Sequence, residues 1–509
     1  MKTARDRHIV VIGAGPGGLT AAMILAHRGF RVTVVEKQEV VGGRSRERRL
    51  GPYSFDTGPT FLHQKFVLDE MFGEAGRDSG EYLDFVKLSP MTRLTWGDTS
   101  MVTYPEASQM EAELEKVFPG SVEGYRRYMS DHAEKLRRIY PVLQRPYQSI
   151  LSYLSPTLLR AAPAVIPPES VMSVLERYFD DERLRLAFTF QAKYLGMSPW
   201  KCPGLFSILS FIEYAWGIYH VQGGLCKIPQ AMARVVEEEG GEVRLGAEVE
   251  EILTEGSSMK GVRLKGGETI RADDVVVNAD FAHAMTTLLN GRSASPEKMK
   301  KKDFSCSTFM IYLGLDTIYR DEAHHHILFA DDYVQNVSEI QGEREVSRDM
   351  SVYVRNSSIT DPNVAPEGHS ALYILVPTVN LRHGDDWEAT KREYRDRTLN
   401  RIEERTGMKD LRSHIVEEEI FTPADWQKDG VFMGATFNLS HRLGQMLYLR
   451  PHNRYQGFDN CYLVGGGTHP GSGLPTIYES ARISSNLICD RYGVDYGKVD
   501  LASEFLAAG

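Results

Sequence analysis

The chain has 509 residues, enough for two or three domains that each bury a core. Apolar residues make up 42% of it and charged residues 25%, an ordinary globular balance. The net charge of −10 argues against a general nucleic-acid binder. Five cysteines (Cys202, Cys226, Cys306, Cys461 and Cys489) are widely spaced with no C-x-x-C pair, which reads as reduced thiols in a cytosolic setting. The first apolar run, residues 9–12, is too short for a signal peptide, and no uncharged apolar stretch reaches the roughly 18 residues of a transmembrane helix.

In chain order, residues 9–12 form a β-branched apolar run suited to a buried parallel strand. Gly13, Gly15 and Gly18 follow as G-x-G-x-x-G. In that pattern the first glycine permits a tight turn, the second lets a pyrophosphate approach the backbone, and the third lets helix and strand pack closely. Leu19, Ala22, Met23 and Ala26 make one apolar helix face, and Gly29 stands where a helix-ending glycine belongs. Residues 32–35 form a second strand, ended by Glu36, which is placed to accept hydrogen bonds from ribose hydroxyls. Strand, glycine turn, helix, strand and acid within about thirty residues predict a dinucleotide site. Next come Gly42-Gly43-Arg44 and the string from Phe55 to Thr60.

The middle is less regular. Residues 110–140 are polar and helix-like, broken at Pro119-Gly120, with Arg126, Arg127, Arg137 and Arg138 on a solvated face or against anionic headgroups. Residues 149–168 are apolar and proline-rich, and residues 205–219 are aromatic-rich. The first suits a packed connector or an interface, the second a core or a cavity wall. Gly223-Gly224 precedes a helix ending near Gly240-Gly241, then a strand, then Val249; residues 272–280 read as a further buried strand. His324, His325 and His326 are predicted to lie in a surface loop, and Asp331-Asp332 and Asp385-Asp386 to be loop acids. No metal site is expected. Residues 462–464 read as a last strand, followed by the glycines at 465–467, Gly471-Ser472-Gly473, and a helix opening at Leu474-Pro475.

The glycine fingerprint with Gly-Gly-Arg just behind it resembles the flavin-containing amine oxidase superfamily. The late stretch "DNCYLVGGGTHPGSGLP", preceded by "YLRPHNR", is very similar to bacterial carotenoid desaturases of the phytoene and diapophytoene type. That branch lacks the acidic residue which many superfamily members place where Gly467 stands. The resemblance implies an α/β fold: a Rossmann-like FAD-binding domain assembled from 1–75, 223–290 and 455–509. A helical membrane-facing region is expected at 76–222 and an α+β substrate domain at 291–454. It implies FAD contacts from Gly13, Ala14, Gly15, Gly18, Glu36, Lys37, Gly43, Arg44, Pro59, Thr60, Val249, Gly466, Gly467, Leu474 and Pro475, Val249 through its backbone to the adenine. The helix after Gly473 would aim its N-terminus at the flavin pyrimidine edge, where reduction gathers negative charge.

The implied reaction is desaturation of a long apolar isoprenoid, hydride passing to flavin N5 and electrons then to a quinone or oxygen. An apolar substrate implies a cytoplasmic enzyme held peripherally at the inner face of the membrane. No general base is evident; His469, His452 and Arg450 are weak candidates. Rival readings are a C30 diapophytoene desaturase, a carotenoid-end oxidase, a flavin amine oxidase and a flavin-free prenyl-protein escort. "GSGLPTIYES" lacks the cysteine that some amine oxidases attach to flavin, and the intact glycines with Glu36 and Arg44 argue against an escort.

Overall fold

Five parallel strands form one sheet in the order 461–463, 274–277, 8–12, 31–35 and 242–244 in a computed structural model of the chain. The structure describes residues 3–165, 169–191, 197–289, 294–343, 347–384, 386–503 and 506; Asp385 and residues 166–168 therefore lie outside the described residues. Strand His8–Ile12 is buried along its whole length, as a central strand covered on both faces must be. Helix Pro16–His27 is buried over Gly17 to Ala26 because helices Lys227–Glu238 and Leu474–Tyr492 pack on it from either side. These elements come from segments separated by up to some 450 residues of chain and share one layer.

Helix Lys65–Glu74 is tied to helix Leu474–Tyr492 by buried charge. Arg482 Nη1 lies 2.8 Å from Glu70 Oε2, and Arg482 also pairs with Glu479. Glu74 pairs with Arg28.

A second sheet has seven strands in the order 415–421, 307–315, 370–378, 352–356, 325–328, 92–96 and 99–103. All neighbours are antiparallel except 325–328 with 92–96. Side chains alternate across a sheet. Phe309, Ile311 and Leu313 turn to one side and meet Leu372, Ile374 and helix Trp387–Arg405. Met310, Tyr373 and Leu375 turn to the other side, where they line a cavity.

The histidine run departs from the surface loop expected of it. His325–Leu328 is an interior strand, and His324, His325 and His326 are all buried. The run continues into Ile327, Leu328 and Phe329 and has a strand on each side. Each ring finds a partner: His324 Nδ1 lies 2.9 Å from Thr360 Oγ1, His325 Nδ1 2.8 Å from the Tyr353 hydroxyl, and His326 Nε2 2.8 Å from Thr95 Oγ1. Burial lowers all three pKa values, so the rings are held neutral, each with at least one ring nitrogen partnered and His325 Nε2 left without a hydrogen-bond partner. Among the described residues no group of three or more His, Cys, Asp or Glu is placed to hold a metal ion.

Residues 110–140 form two helices, Ala107–Val117 and Val122–Leu143, parted at Pro119-Gly120. Three of their exposed arginines are paired within the chain, Arg126 with Glu111 and Arg137 and Arg138 with Glu134, while Arg127 donates to the Arg177 carbonyl. Of the 149–168 stretch, the described residues form a short 3-10 turn, Ile150–Leu154, and helix Pro156–Val165. No helix of the described residues is long and apolar enough to cross a membrane.

Candidate active site

The glycine turn after strand His8–Ile12 is built by close approach. Gly13 has φ +95° and donates its N–H to Val35 O at 2.8 Å. A Cβ at Gly18 would lie 2.2 Å from Gly13 O, so only glycine brings the helix this near the strand. Gly15 is the N-cap of helix Pro16–His27 and Gly473 that of helix Leu474–Tyr492; neither helix start has a side-chain cap. The first N–H groups of a helix have no partner within it. Both helix starts open onto one cavity of about 670 Å³. Two positive dipole ends with free donors make a site for a bridged anion such as a pyrophosphate.

Acid and base line the same cleft. Glu36 is buried, and its carboxylate accepts N–H groups from Ala14 at 2.8 Å and Gln38 at 3.0 Å. Arg44 is enclosed and donates to Thr436 O at 2.6 Å. With the Asn438 amide oriented to satisfy its neighbours, Asn438 bridges Arg44 and Asp280, its nitrogen 2.8 Å from Asp280 Oδ2. Burial lowers the Arg44 pKa and raises that of Asp280, while each opposes the other's shift. Lys37 Nζ donates to Asp429 O at 2.8 Å.

Beyond these groups the cavity becomes apolar. Phe61, Phe190, Leu209, Ile212, Ile327 and Phe329 line it, with Tyr353 and Tyr373. Of the aromatic-rich segment, now helix Ile208–Trp216, Leu209 and Ile212 face the cavity, while Phe211 and Tyr214 pack in the core. Both readings of that segment therefore hold, on different faces.

A family model of flavin-containing amine oxidoreductases matches residues 16–489. The chain is 49% identical over 497 residues to a 4,4'-diapophytoene desaturase (4,4'-diapolycopene-forming) of a Methylomonas species, covering 97% of either chain. It is 40% identical over 498 residues to an all-trans-zeta-carotene desaturase of Myxococcus xanthus, covering 96% of this chain and 94% of that one. The chain belongs to the bacterial carotenoid desaturases, within the flavin-containing amine oxidoreductase family. In fold the desaturase also resembles cyclohexylamine oxidase from Brevibacterium oxydans, with a TM-score of 0.60 at 15% identity, over 96% of this chain and 99% of that one.

The desaturase is a flavoprotein oxidoreductase and its cofactor is FAD. The cleft fits that group: glycine turns at Gly15, Gly17 and Gly43 that line it and are packed too closely on their neighbours for a Cβ, two uncapped helix starts, and a carboxylate at the end of the second strand. Gly13, Gly15, Glu36, Lys37, Gly43, Arg44, Pro59, Thr60, Val249, Gly466, Gly467, Leu474 and Pro475 all line the cavity. Ala14 and Gly18 lie behind it, the first donating to Glu36 and the second packed on Gly13 and Asn278.

His469, His452 and Arg450 are not among the described lining residues. His469 is buried beside Tyr147, and burial with Arg450 nearby lowers its pKa to about 3. His452 Nε2 lies 2.8 Å from Tyr448 O. Arg450 donates to five carbonyls: Leu439, Ser440, Gln445, Gly466 and Thr468, the shortest contact being 2.6 Å to Gly466 O. It therefore clamps the late glycine loop to residues 439–445.

Asn278 went unremarked in the sequence. Its Nδ2 donates to Gly13 O at 3.0 Å, and its side chain is the first atom group a Cβ at Gly15, Gly17 or Gly465 would meet. It is the spacer between the two glycine turns. Thr436, Asn438 and Asp429, from a stretch expected to serve the substrate, also reach the cofactor cleft.

Proposed function

We propose that this desaturase introduces double bonds into a long apolar isoprenoid of the phytoene type. Bound FAD supplies a hydride acceptor; the chain binds it, orients the polyene and excludes water. The observation that carries this reading is the continuity of one cavity, from two helix starts and Glu36 at one end to an aromatic and aliphatic wall at the other. The residues named above hold the nucleotide, and helix Leu474–Tyr492 presents its uncapped start toward the charge that gathers on reduction. The seven-stranded sheet with helix Ile208–Trp216 serves as the substrate domain. Reduced flavin returns its electrons to a quinone or to oxygen. A C30 substrate is the second reading, favoured by the Methylomonas relative, which is named for diapophytoene.

The substrate partitions into lipid, so the enzyme works at a membrane surface, peripherally and on its cytoplasmic face. An apolar patch supports this placement. Ile150, Leu151, Leu154 and Leu159 are 58–70% exposed, and Leu443 and Leu449 are also exposed. The two segments meet beneath, where Tyr153, Leu447 and Tyr448 pack on Val142, Tyr147 and Leu158. Exposed side chains that are mostly leucine, on a short turn and helix, suit an interfacial anchor.

Expression in hosts that make C40 or C30 precursors, with pigment analysis, tests the activity. New visible absorbance in one host supports the reading and names the chain length, and colourless extracts from both refute it. Loss of vesicle flotation in Leu151→Ser/Leu154→Ser tests the surface; unchanged flotation would remove it.

A further inference from the structure

Three tyrosines of the seven-stranded sheet reach one loop. The neighbouring strands 307–315, 370–378 and 352–356 carry Tyr312, Tyr373 and Tyr353, all buried. Tyr312 stands opposite Tyr373 in the strand pairing, and the rings of Tyr312 and Tyr353 lie 5.8 Å and 5.9 Å from that of Tyr373, edge to face. Each hydroxyl meets a different residue of the loop 57–60. Tyr312 donates to Thr57 O at 3.2 Å, Tyr373 donates to Gly58 O at 3.0 Å, and the Tyr353 hydroxyl lies 2.8 Å from Thr60 Oγ1. Packing alone would be served by phenylalanine at each position. The other side of the loop is held by the Gly-Gly-Arg turn. The Thr57 N–H donates to Arg46 O at 3.2 Å, Thr57 Oγ1 lies 3.0 Å from Arg44 O, and a Cβ at Gly58 would stand 2.2 Å from Arg44 O. Residues 57–60 all line the cavity, as do Arg44, Tyr353 and Tyr373.

We propose that Tyr312, Tyr353 and Tyr373 are positioning residues of the desaturation, which hold loop 57–60 so that it fixes the separation of cofactor and polyene. The assignment rests on the desaturase reading. The loop is tied to the cofactor turn on one side and to the substrate sheet on the other, so its placement sets how the two halves of the cavity meet. Tyr353 and Tyr373 act on both halves: they line the wall on which a polyene lies, and their hydroxyls fix the loop. The Tyr353 hydroxyl is also 2.8 Å from His325 Nδ1, which steadies it from the interior strand. Burial pushes all three phenol pKa values up, so the hydroxyls remain protonated. Removing one hydroxyl takes a hydrogen bond from the loop while the ring keeps its place in the sheet. Hydride transfer is steep in distance, and a misplacement of about 1 Å costs about 100-fold in rate.

The test uses the FAD-loaded enzyme with phytoene and diapophytoene in vesicles. Tyr312→Phe, Tyr353→Phe and Tyr373→Phe should each lower kcat about tenfold and Tyr353→Phe/Tyr373→Phe about 100-fold, with KM little changed because the rings stay. A second readout needs no turnover: the visible circular dichroism of the bound flavin should change in the same variants. Tyr128→Phe is the control. It strips a buried hydroxyl from Ser207 O, 2.6 Å away in the helical region, and Tyr128 is not among the described lining residues, so only the melting midpoint should fall. Wild-type kcat and dichroism in Tyr353→Phe and Tyr373→Phe, whatever their melting midpoints, would overturn the assignment, as would a raised KM with kcat kept. Were a variant to purify without flavin, its apoprotein saturated with FAD decides: altered dichroism supports the assignment and wild-type dichroism overturns it. Wild-type protein that is yellow but turns over no isoprenoid would sink the desaturase reading itself, a result distinct from the dichroism, which needs no isoprenoid.

Discussion

Substituting Gly17 by Ala tests whether the two glycine turns close on each other. Gly17 lies in the first turn of helix Pro16–His27, with no left-handed φ to strain. Judged by helix propensity alone, alanine should stabilise that helix by about 0.5–1 kcal/mol. The structure predicts the opposite sign. A Cβ there would stand 2.9 Å from Asn278 Oδ1, 3.1 Å from Ile477 Cγ2 and 3.2 Å from the Gly465 nitrogen, which belong to three separate segments. Asn278 can yield only by giving up its bond to Gly13 O, worth about 1 kcal/mol. Wedging a methyl group into such packing costs about 1–3 kcal/mol. The net loss is thus about 1–3 kcal/mol, and each 1.4 kcal/mol that falls on the cleft weakens FAD binding about tenfold. Fluorescence titration of the apoprotein with FAD, and the melting midpoint, measure the two parts. Gly444→Ala, where nothing lies within 4 Å, serves as the control. A Gly17→Ala protein that melts at or above wild type and binds FAD as tightly would refute the close approach.

Other expectations follow from single groups. Arg450→Met removes the donors of five carbonyls and should cost about 3–5 kcal/mol, with FAD content falling in parallel; purified variants with a wild-type melting midpoint would show that the clamp is dispensable. Glu36→Gln leaves one carbonyl oxygen to serve two N–H groups, so apoprotein titration should find FAD held about 10–100-fold less tightly. His132 is buried between Ser207 and the Tyr128 carbonyl, and burial with Lys135 nearby lowers its pKa from 6.5 to about 3. The folded state keeps this ring neutral while the unfolded chain protonates it below pH 6.5, so its contribution is complete above that value and falls as pH drops. Between pH 7 and pH 5 the loss is about 2 kcal/mol, and denaturation midpoints of wild type and His132→Asn should converge over that interval.

The parts legible in the sequence were those whose physics is local. The turn at Gly13, Gly15 and Gly18 is one strand, one turn and one helix in succession, and each glycine's purpose follows from a neighbour within a few residues. The same holds for Gly473 and Pro475 at the start of the last helix. Asn278 carries no such mark, because its purpose is to touch Gly13, 265 residues away, and Gly465 at once. The histidines at 324–326 misled for a related reason. Residue type argues for the surface, but Thr95, Tyr353 and Thr360, which make burial tolerable, are contributed by other elements. Arg450 suggested chemistry by the company it keeps in sequence, whereas its enclosure by five carbonyls exists only in the folded chain.

The cavity wall was hidden by a different cause. A strand with one wet face announces itself by alternating polar and apolar residues, and that alternation tells which side is the core. Strand Ser307–Leu315 is buried at all nine positions. Its odd residues meet helix Trp387–Arg405 and its even residues Thr308 and Met310 meet a cavity, yet both environments are apolar and select the same side chains. Sequence pattern therefore cannot separate a packed face from a wall kept for an apolar ligand. What breaks the degeneracy is a residue that pure packing would not choose, such as Gln191, which lines this cavity with its amide buried and without a hydrogen-bond partner.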